Sequence, residues 1–205
     1  MHTEMLPIAY PQAILRALAL IQAGELVAFP TDTVYGLGAS IIDPQAIDQL
    51  YVVKGRDTAK AIAVLIGDLD DLPRVCRDIN RNALRLAAHF WPGPLTLVVA
   101  RQYGLPDNLS PLPTIGVRMP DHPVALTLLK KTGPLAVTSA NRSGQPSAST
   151  AQQVFQQLGG QIPLIIDGGQ TPGGQPSTVV DCTGPEPAIL RHGPISPQAI
   201  QAALA

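Results

Sequence analysis

Apolar positions along the chain recur with two periods, and the points where the period changes mark its elements. From Pro11 to Ala23 they return at helical spacing, with a proline in the first turn and Gly24 as the stop, and the short apolar run "LVAF" then reads as a strand. The stretch "DPQAIDQLYVV" predicts a helix with Asp43 as N-cap and Pro44 at its first position. A strand "AIAVLI", a helix near Asn80 to Phe90 and, after the turn "WPGP", a strand "LTLVVA" follow. The second half predicts strand "IGVRM", helix "HPVALTLLKK", strand "LAVTSA" and a helix near Ser149 to Leu158 capped by Ser149. Strands "PLIID", "STVVD" and "AILRH" and a last helix from Ser196-Pro197 complete it.

Helix and strand types alternate throughout without an internal repeat or long linker, which predicts an α/β fold. Several late strands are joined by turns too short for a helical crossover, so the sheet is expected to be open and mixed, flanked by helices. At 205 residues the chain is read as one domain, 1–205. It is 45% hydrophobic and 14% charged, enough to bury a core and too apolar for intrinsic disorder.

A formal net charge of -1 excludes the global basicity of a dedicated nucleic-acid binder, so any anion site must come from local clustering of cations. Cys76 and Cys182 lie far apart with no CxxC pair, which indicates neither zinc nor a disulfide framework and favours a reduced compartment. The N-terminus "MHTEMLPIAY" lacks a basic segment followed by an apolar core, and no apolar run approaches the roughly 18 residues of a membrane span. A cytoplasmic protein without a membrane partner is expected.

Four segments carry candidate chemistry. In "FPTDTVYGLG", an extended backbone would place Thr31, Thr33 and Tyr35 on one face, lining a pocket, with Asp32 and Val34 on the other; alternatively the threonines satisfy a local turn. In "KGRDTAK", an extended Lys54-Gly55-Arg56 would point a compact charge and a planar donor fork the same way, a pair suited to polyphosphate, or else form a solvated charged turn. "LAVTSANRSGQPSAS" runs from a strand into Ser139, Asn141 and Ser147, where successive backbone amides can make an anion nest. Arg118 and Arg191 lie within apolar strands and need a partner: Asp121, Asp167 or Asp181, or the carboxylate or phosphate of a ligand.

Neither GxxxxGK[ST], GxGxxG, GxSxG nor HExxH occurs, and His2, His89, His122 and His192 lack metal-ligand spacing, with His89 read as packed beside Phe90. No metal site is expected. The expected site binds and steers charge without a covalent intermediate.

Together "FPTDTVYGLG", "KGR", "FWPGPLTLVV", "VRMPDHP", "TSANRSGQPS", "STVVD" and "ILRHG" resemble, in order and spacing, the YrdC-like family of threonylcarbamoyl-adenylate synthases. The resemblance spans about Val27 to Gly193. It implies a twisted open sheet with a basic concave face, and conversion of L-threonine, bicarbonate and ATP into threonylcarbamoyl-AMP and pyrophosphate. A downstream transferase complex would pass the threonylcarbamoyl group to transfer RNA. Carried over by residue, Thr33, Arg118 and Ser177 would hold L-threonine. Lys54, Arg56, Lys60, Ser139, Asn141, Ser147 and Arg191 would hold ATP, with Lys54 and Arg56 the catalytic cations and Mg2+ on the phosphates.

The chain departs from the family pattern at Asp57 and Ala61, where prolines are usual, and at Leu65, where some longer members have a histidine. Those members also carry a second domain on a linker, and the resemblance here is to the short single-domain form. Two other readings remain at this point: an RNA-binding module using the basic face, and a paralogue acting on another amino acid or carbamoyl donor.

Overall fold

The computed structural model describes residues 2–205. In chain order the elements are β1 (Glu4–Pro7), α1 (Ala13–Gln22), β2 (Val27–Phe29), β3 (Gly36–Ser40), α2 (Pro44–Lys54), β4 (Ala63–Leu65), α3 (Leu72–Val75), α4 (Arg81–Phe90) and β5 (Leu95–Ala100). They continue with β6 (Thr114–Arg118), α5 (Pro123–Thr132), β7 (Leu135–Ser139), α6 (Ala151–Leu158), β8 (Leu164–Asp167), β9 (Thr178–Asp181), β10 (Ala188–Arg191) and α7 (Pro197–Leu204). All strands belong to one mixed sheet ordered β1-β8-β2-β3-β7-β4-β6-β5-β9-β10.

Helix ends follow the chemistry of their capping residues. Asp43 accepts from the amides of Gln45 and Ala46, and Gly55 closes α2 in the left-handed conformation at φ 58°. Asn80, His122 and Ser196 cap α4, α5 and α7 with side-chain acceptors. At α6 the cap is Thr150, which accepts from Gln153 N; Ser149, expected in that role, instead lies one residue outside the helix and bonds Gln153 Oε1.

Two strands lie outside the sequence pattern. β1 pairs parallel to β8 at one edge. β3, "GLGAS", pairs antiparallel with β2 and β7, and its glycines hide it from a propensity reading. They are needed there: a Cβ on Gly38 would stand 2.8 Å from Phe29 Cε1, so the fully buried Phe29 ring lies where a side chain would otherwise be. His89, expected to be packed, is exposed at the end of α4 and meets Phe90 edge-on at 4.6 Å.

The covering of the sheet decides where a site can form. One face packs along its length against α2, α4, α6 and α7 through Ala28, Leu37, Val64, Leu95, Leu97 and Val180. The other is covered by α1 and α5 only over β2, β7, β8 and the end of β4, through Val27, Phe29, Leu135, Leu164 and Ile166. Over β5, β6 and β9 that second face has no helix, and Val98, Gly116 and Val179 on it are only half-buried. Strands buried on both faces read as continuous apolar runs, whereas those open on one face alternate, and this open half becomes the floor of a cavity.

Candidate active site

The cavity is about 320 Å³ and is lined at its base by Ala63, Leu65, Thr96, Val98, Gly116 and Val179. Thr31, Thr33, Arg56, Arg118, Ser139, Ser177 and Arg191 complete its lining, with Arg191 near enough to Arg118 for their charges to interact. The basic concave face is therefore this uncovered part of the sheet, ringed by arginines carried on separate elements.

The Thr31–Tyr35 stretch is bent, not extended, because the chain must reverse between antiparallel β2 and β3. Both readings of its threonines apply. Thr31 Oγ1 donates to Val34 O at 2.7 Å and accepts from Thr33 N at 3.2 Å, satisfying the turn, while Thr33 Oγ1 stands 3.0 Å from Thr31 Oγ1 and accepts from Arg118 at 2.9 Å. Tyr35 does not extend the hydroxyl wall: its hydroxyl donates to Gly169 O at 2.7 Å and accepts from Gly168 N at 3.1 Å. It thereby holds the glycine-rich segment after β8, and burial pushes its pKa up to about 12.

Arg118 has a carboxylate partner, but it is Asp32 instead of Asp121, Asp167 or Asp181. Its guanidinium also donates from Nε to Gly93 O at 3.0 Å and from a terminal nitrogen to Thr33. The alternation that would put Asp32 on the opposite face from Thr33 fails because the segment turns. Arg118 is only 6% exposed, and each terminal nitrogen keeps a second N–H without an acceptor among the described residues.

Lys54 does not extend beside Arg56 into the site, contrary to the expectation from "KGR". It is the last residue of α2, it is 3% exposed, and its ammonium donates to the carbonyls of Ser139 and Asn141. Gly55 in the left-handed conformation turns the chain, so Lys54 and Arg56 point apart: Lys54 anchors the loop after β7 while Arg56 reaches the cavity. Burial, with a smaller contribution from the charge of Arg56, lowers the Lys54 pKa to about 8.

Arg56 is braced by the carbonyls of Lys60 and Ala61, and Arg191 by the carbonyl and hydroxyl of Ser177 at 3.0 and 3.1 Å. Among the described residues neither forms a salt bridge with a carboxylate. Burial, then the charge of Arg56, lowers the pKa of Arg191, so the two cations face one cavity and repel each other, with the charge of Asp57 acting on Arg56 from outside the cavity lining. An anion placed between them removes that repulsion.

The remaining candidates divide by position. Ser139 and Ser177 line the cavity, whereas Lys60, Asn141 and Ser147 lie outside its lining. Lys60 is exposed on the turn after Arg56, and Ser147 is half-buried in the loop after β7. Asn141 is buried, donates to Arg142 O and Gln145 O, and leaves its Oδ1 without a partner. Of the departures, Leu65 lies in the cavity base and Ala61 at its rim, while Asp57 is exposed and caps its own turn by accepting from Ala59 N at 2.9 Å.

Two residues of the site are not singled out by the sequence pattern. Asp32 falls on the wrong face if the segment is taken as extended. Thr96 is the single hydroxyl in the apolar run "LTLVVA", and that isolated polar position is the signal that points to it.

An open α/β sheet whose uncovered face gathers arginines and hydroxyls around one cavity has the lining that suits an anionic ligand. The chain belongs to the Sua5/YciO/YrdC family, whose model, described as "Telomere recombination", matches residues 19–193. A Bacillus subtilis threonylcarbamoyl-AMP synthase is 42% identical over 208 residues, covering 98% of this chain and 59% of the relative. The structure of Pyrococcus abyssi Sua5 complexed with L-threonine superposes with a TM-score of 0.94 at 38% identity, over 100% of this chain and 61% of that one. Escherichia coli YciO matches with a TM-score of 0.87 at 27% identity, over 97% of this chain and 99% of YciO. The chain thus spans about three-fifths of the first two relatives and nearly all of the third.

Proposed function

We propose that the chain is a threonylcarbamoyl-AMP synthase, joining L-threonine, bicarbonate and ATP for the modification of transfer RNA. The observation that carries this reading is the gathering of Arg56 and Arg191, which among the described residues form no salt bridge, in one cavity with Thr33 and Arg118. That cavity can hold a polyphosphate and an amino acid side by side. The names of the Bacillus subtilis and Pyrococcus abyssi relatives, and the L-threonine held by the latter, support the same assignment.

In this reading the spare N–H groups of Arg118 take the amino-acid carboxylate, and Thr33 accepts from an N–H or O–H group of the same molecule. The amine adds to the carbon of bicarbonate with loss of water to give a carbamate. A carbamate oxygen then bonds to the α-phosphorus as the α–β phosphoanhydride bond breaks and pyrophosphate leaves. No side chain becomes covalently attached. Arg56 and Arg191 offset the repulsion between two anions and meet the charge that grows on the leaving phosphates.

Mg2+ would enter on those phosphates. Among the described residues no group of three or more histidine, cysteine or acidic side chains is arranged to hold a metal, and the cavity's cationic lining fits a metal already bound to nucleotide. A transferase complex acting on transfer RNA is the proposed acceptor of the product. A cytoplasmic location agrees with two free, buried cysteines, and among the described residues no helix is long and apolar enough to cross a membrane.

The test is pyrophosphate release by the purified chain. It should require L-threonine and bicarbonate together. ATP turnover indifferent to threonine would overturn the assignment, and tight, salt-sensitive RNA binding that survives excess ATP would favour an RNA-binding role for the basic face instead.

A further inference from the structure

The cavity contains two hydroxyl pairs, and their hydrogen bonds give them opposite polarity. A hydroxyl carries one proton to donate. Thr31 spends its proton on Val34 O, so in the 3.0 Å contact between Thr31 and Thr33 the donor must be Thr33. Thr33 then also accepts from Arg118. No hydroxyl proton remains in this pair, and what it offers a ligand is a lone pair on Thr33.

The second pair, Thr96 and Ser177, is different. Their oxygens are 2.7 Å apart, and among the described residues neither hydroxyl has any other acceptor. Arg191 adds a bond at 3.1 Å, but there Ser177 accepts. Whichever hydroxyl donates within the pair, the other keeps its proton. Thr96 is 6% and Ser177 3% exposed, both line the cavity, and a buried hydroxyl proton without an acceptor is costly. The guanidinium of Arg191, which among the described residues forms no salt bridge, donates to Ser177, so an anion at this point would meet both a cation and a hydroxyl proton.

The register explains why the two oxygens meet. β5 runs parallel to β9 with Thr96 opposite Val179, which leaves Thr96 diagonal to Ser177 on the cavity face as the chain enters β9. Gly116, which faces Val98 across β5 and β6, is the diagonal neighbour of Thr96 on the cavity floor, and a Cβ there would stand 3.0 Å from the Thr96 methyl group. The space in front of the pair depends on that glycine.

We propose that Thr96 and Ser177 form a donor site for a planar carboxylate-type oxyanion, with Thr96 a substrate-contacting residue. The ligand is thereby oriented: its N–H or O–H group lies toward Thr33 and its oxyanion toward Thr96. The identity of the oxyanion rests on the synthase reading, in which it is either the carboxylate of L-threonine or the oxygens contributed by bicarbonate. Thr96 removes no proton and forms no bond to carbon or phosphorus; it donates a hydrogen bond.

Thr96→Val keeps the shape and removes the donor, whereas Thr96→Ser keeps the donor. In steady-state pyrophosphate release, T96V should raise the half-saturating concentration of L-threonine or of bicarbonate roughly ten- to a hundredfold, as loss of a bond to a charged group implies, and leave that of ATP unchanged. A rise in the threonine arm identifies the amino-acid carboxylate, and a rise in the bicarbonate arm identifies the carbonate-derived oxygens. T96S should behave as wild type. Wild-type constants in T96V, a rise for ATP alone, or T96S as impaired as T96V would overturn the donor site.

Should T96V fail to fold, Ser177→Ala removes the same pair from the other side and should raise the same threonine or bicarbonate constant, with a smaller rise for ATP because Arg191 loses its bond to the Ser177 hydroxyl. Calorimetric titration with L-threonine in bicarbonate buffer gives a readout independent of turnover. A wild type that binds threonine without releasing pyrophosphate refutes the synthase reading, while weaker binding by T96V alone still supports the donor site. A wild type that binds neither compound overturns both.

Discussion

Removal of the Asp32 carboxylate should destabilise the protein far more than an ordinary loop substitution, because it strands a buried cation. Arg118 is 6% exposed and Asp32 is its carboxylate partner. Breaking a buried pair by deleting one member typically costs about 3–5 kcal/mol, most of it the penalty of leaving the other charge uncompensated. Arg118 keeps its bonds to Gly93 O and Thr33 Oγ1, so Asp32→Ala should fall near the lower end, about 3 kcal/mol. With a urea slope of about 3 kcal/mol/M, the unfolding midpoint moves down by about 1 M. Arg118→Met added to D32A removes the stranded charge and should recover part of the loss, a non-additivity that a four-protein cycle measures directly. A D32A midpoint within about 0.2 M of wild type, or a double variant showing the plain sum of the singles, would refute the claim that this pair is buried and coupled.

Further outcomes follow from the other cations. Arg56→Ala and Arg191→Ala should each reduce adenylate formation by about 10²–10³, by analogy with loss of one preorganised donor, and shift the urea midpoint little, since both side chains are only braced by carbonyl or hydroxyl oxygens; unaltered pyrophosphate release by either would remove it from the site. Lys54 predicts a pH signature. Its folded pKa is lowered from 10.5 to about 8, so between those values the unfolded chain binds more protons and the stability it contributes rises with pH. The raised pKa values of Cys76, Cys182 and Tyr35 act in the opposite sense at alkaline pH, which makes the informative quantity the stability of wild type minus that of Lys54→Met. That difference should increase from pH 8 to 10.5 in urea titrations, and a flat difference would show that Lys54 is not buried as a cation.

Elements whose signals are local are legible in the order of residues alone. The Asp43-Pro44 start of α2, the Asn80 start of α4 and the run Leu95–Ala100 are recognisable because caps, proline and apolar period act within a few residues. The ordered motifs likewise mark the family and most of the cavity's cations and hydroxyls. β3 is hidden because glycine has little strand propensity, and the close approach of Val137 to Gly36 and of the Phe29 ring to Gly38 explains why glycine is used there.

What the chain's order of residues determined by itself was the set of chemical groups: arginines and hydroxyls at strand ends. Their partners were decided in three dimensions. The turn between β2 and β3 brings Asp32 to Arg118 against the alternation of an extended strand. Gly55 turns Lys54 away from Arg56 and into a loop of carbonyls. The β5–β9 register sets Thr96 against Ser177 across a separation of 81 residues. Hydrogen-bond direction and charge compensation are properties of contacts between distant segments, and a linear pattern holds no record of which segments meet.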